Sequence, residues 1–324
     1  MKSIAHYAAH FNAFLEHKTQ PKKPRSLYDP VNYILNLGGK RIRPALVLMS
    51  AELFDFPSEK ALNAALAVEV FHNFSLVHDD IMDDAPLRRG QETVHEKWDL
   101  NTGILSGDAM LIWAYQCFES YDPDQFYQLV KLFSKTAQEV CVGQQHDMDF
   151  EIQNHVKIEE YIEMIRLKTA VLVACAFQMG GIIAKTSADN QQKLYDFGQH
   201  LGIAFQIQDD LLDAYGNPES FGKQIGGDII ENKKTFLYLK ALELSSENDK
   251  NQLKHLFTIQ ASNKKAKIES VLQIYDRSKV KAEAIKHIKS YTDKALEALS
   301  GIDLQEEKKA TLKAFARELM SREV

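Results

Sequence analysis

The sequence predicts an all-α protein, and three observations carry that expectation. Among 324 residues only 8 are proline and 15 glycine, which favours long helices over strands and turns. Apolar residues recur at three- and four-residue intervals along most of the chain, and no alternating run of strand length stands out. No internal repeat of about 20–50 residues is visible. One large helical domain spanning residues 1–324 is the expected organisation.

The first helix runs from Ile4 to about His17, with Tyr7, Phe11, Phe14 and Leu15 on one face. Thr19 to Pro30 holds three of the eight prolines and reads as a linker. In Leu35-Asn36-Leu37-Gly38-Gly39-Lys40-Arg41-Ile42-Arg43-Pro44 a Gly-Gly turn precedes three bases, and Pro44 sits where a helix Ala45–Leu53 can begin. Backbone amides at that helix start, with Lys40 and Arg43, suit an anion. Glu59 to His78 is helical through Leu62, Ala65, Leu66, Val70, Phe71, Phe74 and Val77. A loop from Ala85 to Gln91 follows. Further helices are expected from about Gly107 to Tyr121, Gln125 to Gly143, Ile158 to Ala184 and Asn190 to Tyr215. A Gly-rich loop occupies Gly216 to Asp228. Phe236 to Met320 reads as charged amphipathic helix with its lysines on a solvated face.

Composition excludes several classes of function. A formal net charge of −6 argues against a general nucleic-acid binder. Cys117, Cys141 and Cys175 have no paired spacing, so neither a disulfide framework nor a zinc site is expected. Met1 to His17 has no signal-peptide core, and no run approaches the roughly 18 apolar residues of a membrane span. The expectation is a soluble, cytoplasmic protein.

The chemistry is concentrated in aspartates. Asp79, Asp80, Asp83 and Asp84 lie at the end of an apolar helix and are followed by Arg88-Arg89-Gly90. At about 3.6 residues per turn, Asp79 and Asp83 share a face, as do Asp80 and Asp84. Like charges at that spacing weaken a helix by a few tenths of a kcal/mol per pair, which suggests a compensating cation. Oxygen donors with no cysteine nearby suit a hard ion such as Mg²⁺. About 130 residues later, Asp209-Asp210-Leu211-Leu212-Asp213 repeats the spacing. Acids beside bases, twice, point to a metal-bridged polyphosphate.

With both motifs, the Gly-Gly-Lys-Arg-x-Arg-Pro turn and the Arg-Arg-Gly tail in view, the chain resembles the trans-isoprenyl diphosphate synthases of the short-chain farnesyl/geranylgeranyl type. Landmarks follow the family order from Gly38 to Thr235, and Gly143-Gln144-x-x-Asp147, Lys168-Thr169 and Phe205-Gln206 fall where the family has them. The resemblance implies the isoprenoid synthase fold, a large antiparallel bundle of roughly ten or more helices around a deep central cavity, usually homodimeric. It implies head-to-tail (1′-4) condensation of isopentenyl diphosphate with an allylic diphosphate, with Mg²⁺ as cofactor, about three ions when substrate is bound.

Carried over residue by residue, Asp79, Asp80 and Asp83 would hold metal at the first motif, and Asp209 and Asp213 at the second. Arg88, Lys168 and Lys233 would hold the allylic diphosphate and assist its departure, with Thr169 and Gln206 donating hydrogen bonds. Lys223 would cover the same phosphates. Lys40, Arg43, His72 and Arg89 would hold isopentenyl diphosphate. Asn232 stands where the family often has glycine, so the sequence leaves open whether Lys233 or Lys234 faces the phosphates. Phe74, five residues before Asp79 and about 7.5 Å along the helix, would be a floor for the growing chain, with Phe71 a turn deeper. One aromatic there resembles enzymes making C15 or C20 products.

Three rivals are weaker on the residues. A terpene cyclase shares the fold but normally lacks the Lys40/Arg43/Arg89 set. A non-catalytic regulatory subunit of a prenyl synthase tends to lose aspartates or the Arg pair, which are intact here. Glu69-x-x-His72 and Glu92-x-x-His95 suggest a di-iron bundle, but lie only 23 residues apart and leave the aspartates unexplained.

Overall fold

The computed structural model describes residues 2–216, 225–259 and 263–320. Its elements are helical apart from one two-stranded hairpin. In order they are α1 (Ile4–Lys18), α2 (Arg25–Asn36), α3 (Ile42–Glu52), α4 (Leu62–Met82), strands β1 (Leu87–Arg88) and β2 (Gln91–Glu92), α5 (Val94–Lys97), α6 (Leu100–Gln116), α7 (Pro123–Ile152), α8 (Ile158–Ile165), α9 (Val171–Ile183) and α10 (Ala188–Tyr215). Helices Gly227–Ile230, Phe236–Leu244, Glu247–Leu256, Lys264–Ser278, Val280–Ser300 and Glu306–Met320 complete the described chain. A π-helical turn, Arg166–Ala170, joins α8 to α9.

The chain divides into two compact units, Met1–Lys135 with Cys175–Leu194, and Thr136–Ala174 with Tyr195–Val324. In the first, α1 begins where the Ser3 hydroxyl accepts from the His6 amide at 3.3 Å, and it buries Tyr7, Phe11 and Leu15 at four-residue spacing. Helix α6 begins at Asp99, whose carboxylate accepts from the Thr102 amide at 2.8 Å. Gly103 and Gly107 then let α4 come close, since a Cβ at 107 would lie 2.2 Å from His78 Nε2. The core of the second unit gathers Ile203, Ile207 and Leu211 of α10 with Phe236, Val271, Ile274 and Tyr275.

Several expectations need correction. Thr19–Pro30 is not all linker, because α2 starts at Arg25 and contains Pro30. Burial of Val31, Ile34 and Leu35 outweighs the one helix donor that proline lacks. The lysines after Phe236 do not all form a solvated face. Lys267 and Lys309 are buried at 3% and 6% exposure, with their ammonium groups donating to the Asn232 side-chain oxygen and to the Ser300 carbonyl. Finally, Ile158–Ile183 is long and apolar enough to cross a membrane, but 72% of its most apolar window is buried inside the protein. It is a core helix that also carries Arg166 and Lys168.

Candidate active site

In the first unit the last turn of α4 carries Asp79 and Asp80, Asp83 caps it in near-helical geometry, and Asp84 leaves it at φ 48°. The Asp83 amide donates to the Asp79 carbonyl at 2.9 Å, and the Ala85 amide to that of Asp80 at 2.9 Å. This puts Asp79 and Asp83 on one outward face and turns Asp80 inward, where its side chain is 1% exposed against 20% for Asp79. Arg88 Nε donates to both oxygens of Asp80 at 2.8 and 2.9 Å, and its Nη2 lies 2.6 Å from Asp80 and 3.6 Å from Asp79. Burial raises the Asp80 pKa, and the Arg88 guanidinium opposes that.

Arg88 is placed by an element the sequence reading missed. Leu87 pairs with Glu92 and Arg88 with Gln91, so the expected loop is a hairpin with Arg89-Gly90 as its two central residues. Both have positive φ, 55° and 75°, the requirement of a type I′ turn. A residue-Gly pair between short flanks was the available signal. Arg89 folds back to donate to the Gly38 carbonyl. It passes so close to Gly39 that a Cβ there would lie 2.9 Å from its Nη2.

Arg43 meets His72 at 3.3 Å. Burial, then the charges of Arg43, Arg89, Arg88 and Arg41, hold His72 well below the usual imidazole pKa, so the ring is neutral at neutral pH. The unit thus brings Arg43, His72 and Arg89 together, with Lys40 exposed in the same turn. Arg41 is different: it is buried, donates to Glu69, the Leu35 carbonyl and Asn12, and supports the turn from within. Glu69 serves Arg41 and Asn73. Phe74 is half-buried, with its ring 5.5 Å from Phe71 and 4.7 Å from His78, whereas Phe71 is 1% exposed and packs edge-on to Phe133 at 5.1 Å.

In the second unit the π turn carries Lys168 and Thr169. Such turns are frequent at functional sites because they re-aim side chains out of helical register. Gly143 of α7 permits the approach, since a Cβ there would lie 2.3 Å from the Lys168 backbone nitrogen. Lys168 Nζ then reaches Asp147 at 2.5 Å, and the Thr169 hydroxyl donates to Gln206 Oε1 at 3.3 Å. On α10, Gln206, Asp209 and Asp213 share the partly buried side, while Asp210 is 4% exposed. Asp210 accepts from the Tyr161 hydroxyl, from Gln206 Nε2 at 3.3 Å and from the Phe236 amide at 3.3 Å. Burial first, then the charge of Asp228, pushes the Asp210 carboxyl well above its ordinary pKa. Asp213 accepts from the backbone amides of Gly226, at 2.7 Å on its carbonyl, and Asp228, at 3.1 Å on its carboxylate.

The choice between the two adjacent lysines has a structural basis. Lys234 Nζ donates to the carbonyls of Phe150 and Gln153, both at 2.5 Å, capping the end of α7. Lys233 is exposed and lies 3.0 Å from Glu231. Asn232 sits at φ 61°, the left-handed conformation that glycine adopts freely and asparagine tolerates, so the turn survives the exchange. Lys223 lies outside the described residues. Sequence reasoning gave no site role to Asp147, Tyr161, Asp210 or Asp228. Asp147 stood in a visible motif, whereas nothing local marked Tyr161.

Both aspartate clusters offer only carboxylate oxygen, with guanidinium or ammonium groups nearby, a donor set that fits a hard divalent cation. Residues 24–275 match the polyprenyl synthetase family. The chain is 39% identical over 284 residues to a geranylgeranyl diphosphate synthase of Saccharolobus solfataricus, covering 86% of this chain and 84% of that one. Among solved structures, a geranylgeranyl pyrophosphate synthase is 51% identical with a TM-score of 0.96, covering 100% of both chains. A geranylgeranyl pyrophosphate synthase of Corynebacterium glutamicum, solved with isoprenyl diphosphate and magnesium, is 25% identical with a TM-score of 0.85, covering 99% of this chain and 98% of that one.

Proposed function

The chain belongs to the polyprenyl synthetase family, with its all-α isoprenoid synthase fold, and is a short-chain trans-prenyltransferase; from that premise we propose its substrates, product and residue roles. The reaction is 1′-4 condensation of isopentenyl diphosphate with dimethylallyl, geranyl or farnesyl diphosphate, and the main product is the C20 all-trans diphosphate. The observation that carries this reading is the intact pairing of acids with bases in both units: Arg88 on Asp80 and Asp79, and Lys168 beside Asp147 with Thr169 on Gln206.

The allylic C–O bond ionises only if charge gathering on the leaving diphosphate is neutralised. Lys168, Lys233 and Arg88 hold that diphosphate, Lys223 supplies a further positive charge to it, and Thr169 and Gln206 fix its orientation. Lys40, Arg43, His72 and Arg89 hold isopentenyl diphosphate, whose double bond attacks the allylic cation; a neutral His72 serves as a hydrogen-bonding group there. The proton then lost goes to the departing diphosphate, so that no protein base is required. Asp79, Asp80, Asp83, Asp209 and Asp213 would hold about three Mg²⁺ ions, which when bound stabilise developing phosphate charge. We propose further that both units act as one catalytic domain in a cytoplasmic homodimer. Leu100, Ile104, Leu105 and Ile112 of α6 are 42–61% exposed and suit burial against a second copy.

The C20 length rests on the relatives named geranylgeranyl synthases and on Phe74 as floor. The deciding experiment incubates the enzyme with isopentenyl diphosphate and each primer, with Mg²⁺ or EDTA, and sizes the dephosphorylated products. A metal-dependent series ending at C20 is expected, and Phe74→Ala extends it. Failure to elongate any primer would overturn the assignment. An unchanged length in Phe74→Ala would remove the floor.

A further inference from the structure

We propose that Tyr161 is a positioning residue for the allylic diphosphate, acting through Asp210 on Gln206. This rests on the reading of Gln206 as a diphosphate donor and adds what aims it. The four side chains form one continuous hydrogen-bonded series: the Tyr161 hydroxyl donates to Asp210 Oδ2, Gln206 Nε2 to Asp210 Oδ1 at 3.3 Å, and Thr169 Oγ1 to Gln206 Oε1 at 3.3 Å. An amide has one donor end and one acceptor end. With one amide hydrogen committed to Asp210 and its oxygen taking the single hydroxyl hydrogen of Thr169, Gln206 is held with its second amide hydrogen left for the diphosphate.

Asp210 is the point that makes the series rigid. It is 4% exposed, as is Tyr161, so neither can exchange its partner for solvent. The same Oδ2 that takes the Tyr161 hydroxyl also takes the Phe236 amide at 3.3 Å, at the start of the helix that follows Lys233 and Lys234. One carboxylate therefore fixes three pieces of backbone: α10, the π turn through Gln206 and Thr169, and the chain leading out of the lysine pair. Tyr161 supplies a hydroxyl donor to it. Removing that hydroxyl leaves a buried carboxylate short of a donor, and Asp210 is then free to draw Gln206 out of its alignment with Thr169.

The test is a kinetic double-mutant cycle at saturating Mg²⁺ with Tyr161→Phe, Gln206→Ala and the pair. Tyr161→Phe should raise KM for the allylic diphosphate about 10-fold, leave KM for isopentenyl diphosphate within about 2-fold, and add nothing when Gln206 is already alanine. Equal losses in both backgrounds, or equal rises in both KM values, would show a merely structural role and overturn the proposal. Gln206→Ala by itself checks the underlying reading: if it leaves the allylic KM unchanged, Gln206 is not a diphosphate donor and that reading has failed instead. Should Tyr161→Phe not fold, Asp210→Asn breaks the same series and must raise the same KM.

Discussion

The two aspartate motifs have the same spacing and different surroundings. In both, the middle aspartate is buried and the flanking ones are more open. Asp80 is met by a guanidinium, with three Arg88 contacts between 2.6 and 2.9 Å. Asp210 is met by neutral donors, a phenol, a carboxamide and a backbone amide, with the acidic Asp228 near. The first motif also ends its helix, whereas the second lies in the last turns of the 28-residue α10. A shared Asp-Asp-x-x-Asp pattern thus turns its middle acid inward and leaves the flanking acids more open, and the local partner decides whether that inward acid is paired as an ion.

The sharpest way to break this division is to remove an outward acid. Asp79→Ala and Asp209→Ala should each lower kcat by roughly 10³-fold or more while leaving the far-ultraviolet circular dichroism unchanged, and EDTA should abolish turnover of the parent enzyme. Either variant retaining near-parental turnover would mean that its carboxylate is not a metal ligand.

The inward acids should differ from each other in stability. Asp80→Asn strands a partly buried guanidinium and should cost about 1–3 kcal/mol. Asp210→Asn removes a charge that burial and Asp228 already oppose, so its stability cost should be smaller. Urea unfolding of the two variants measures the difference, and a larger loss in Asp210→Asn would reverse the comparison.

Two glycines probe the same contrast in packing. A Cβ at Gly143 meets backbone, 2.3 Å from the Lys168 nitrogen and 2.7 Å from the Leu167 carbonyl carbon. One at Gly107 meets the His78 ring at 2.2 Å, a side chain able to turn. Gly143→Ala should therefore cost about 1–3 kcal/mol and cut turnover by displacing the π turn, with Gly107→Ala milder in thermal melting. Equal effects would show that the α7 approach to the π turn is not tightly constrained.

How much of this was legible follows from where the signal lies. Helical periodicity found nearly every long helix, because burial on one face imposes it; α6 nevertheless starts at Leu100, earlier than the expected Gly107, because the Asp99 cap sits in a stretch with little apolar pattern. The hairpin was missed because its strands are two residues long and carry no alternation. Arg43 and His72 could be grouped by their motifs, yet Arg41, one of three consecutive-looking bases, turned out to be buried against Glu69. Nothing in a sequence separates a lysine or arginine facing solvent from one spent on a carbonyl, and Lys234 and Lys267 show the same limit. Tyr161 was invisible for a related reason: its partner is 49 residues away.

The smallest expected effect concerns the imidazole beside the first motif. Folding holds the His72 pKa well below 6.5 through burial and four nearby arginines. Above pH 6.5 the ring is neutral in folded and unfolded chains alike. As pH falls below that value the unfolded chain takes up a proton that the folded chain resists, so stability drops at up to about 1.4 kcal/mol per pH unit until the folded pKa is reached. His72→Asn should flatten part of this slope between about pH 5 and 6.5 in urea unfolding at a series of pH values. The flattening is partial because His200, in the second unit, is lowered by burial and by Lys294 in the same sense. Replacing His200 as well should remove a second portion, because burial and Lys294 resist its protonation in the same sense. If His72→Asn leaves the slope intact, the ring takes up its proton equally in the folded and unfolded chains, and burial beside four arginines does not depress its pKa.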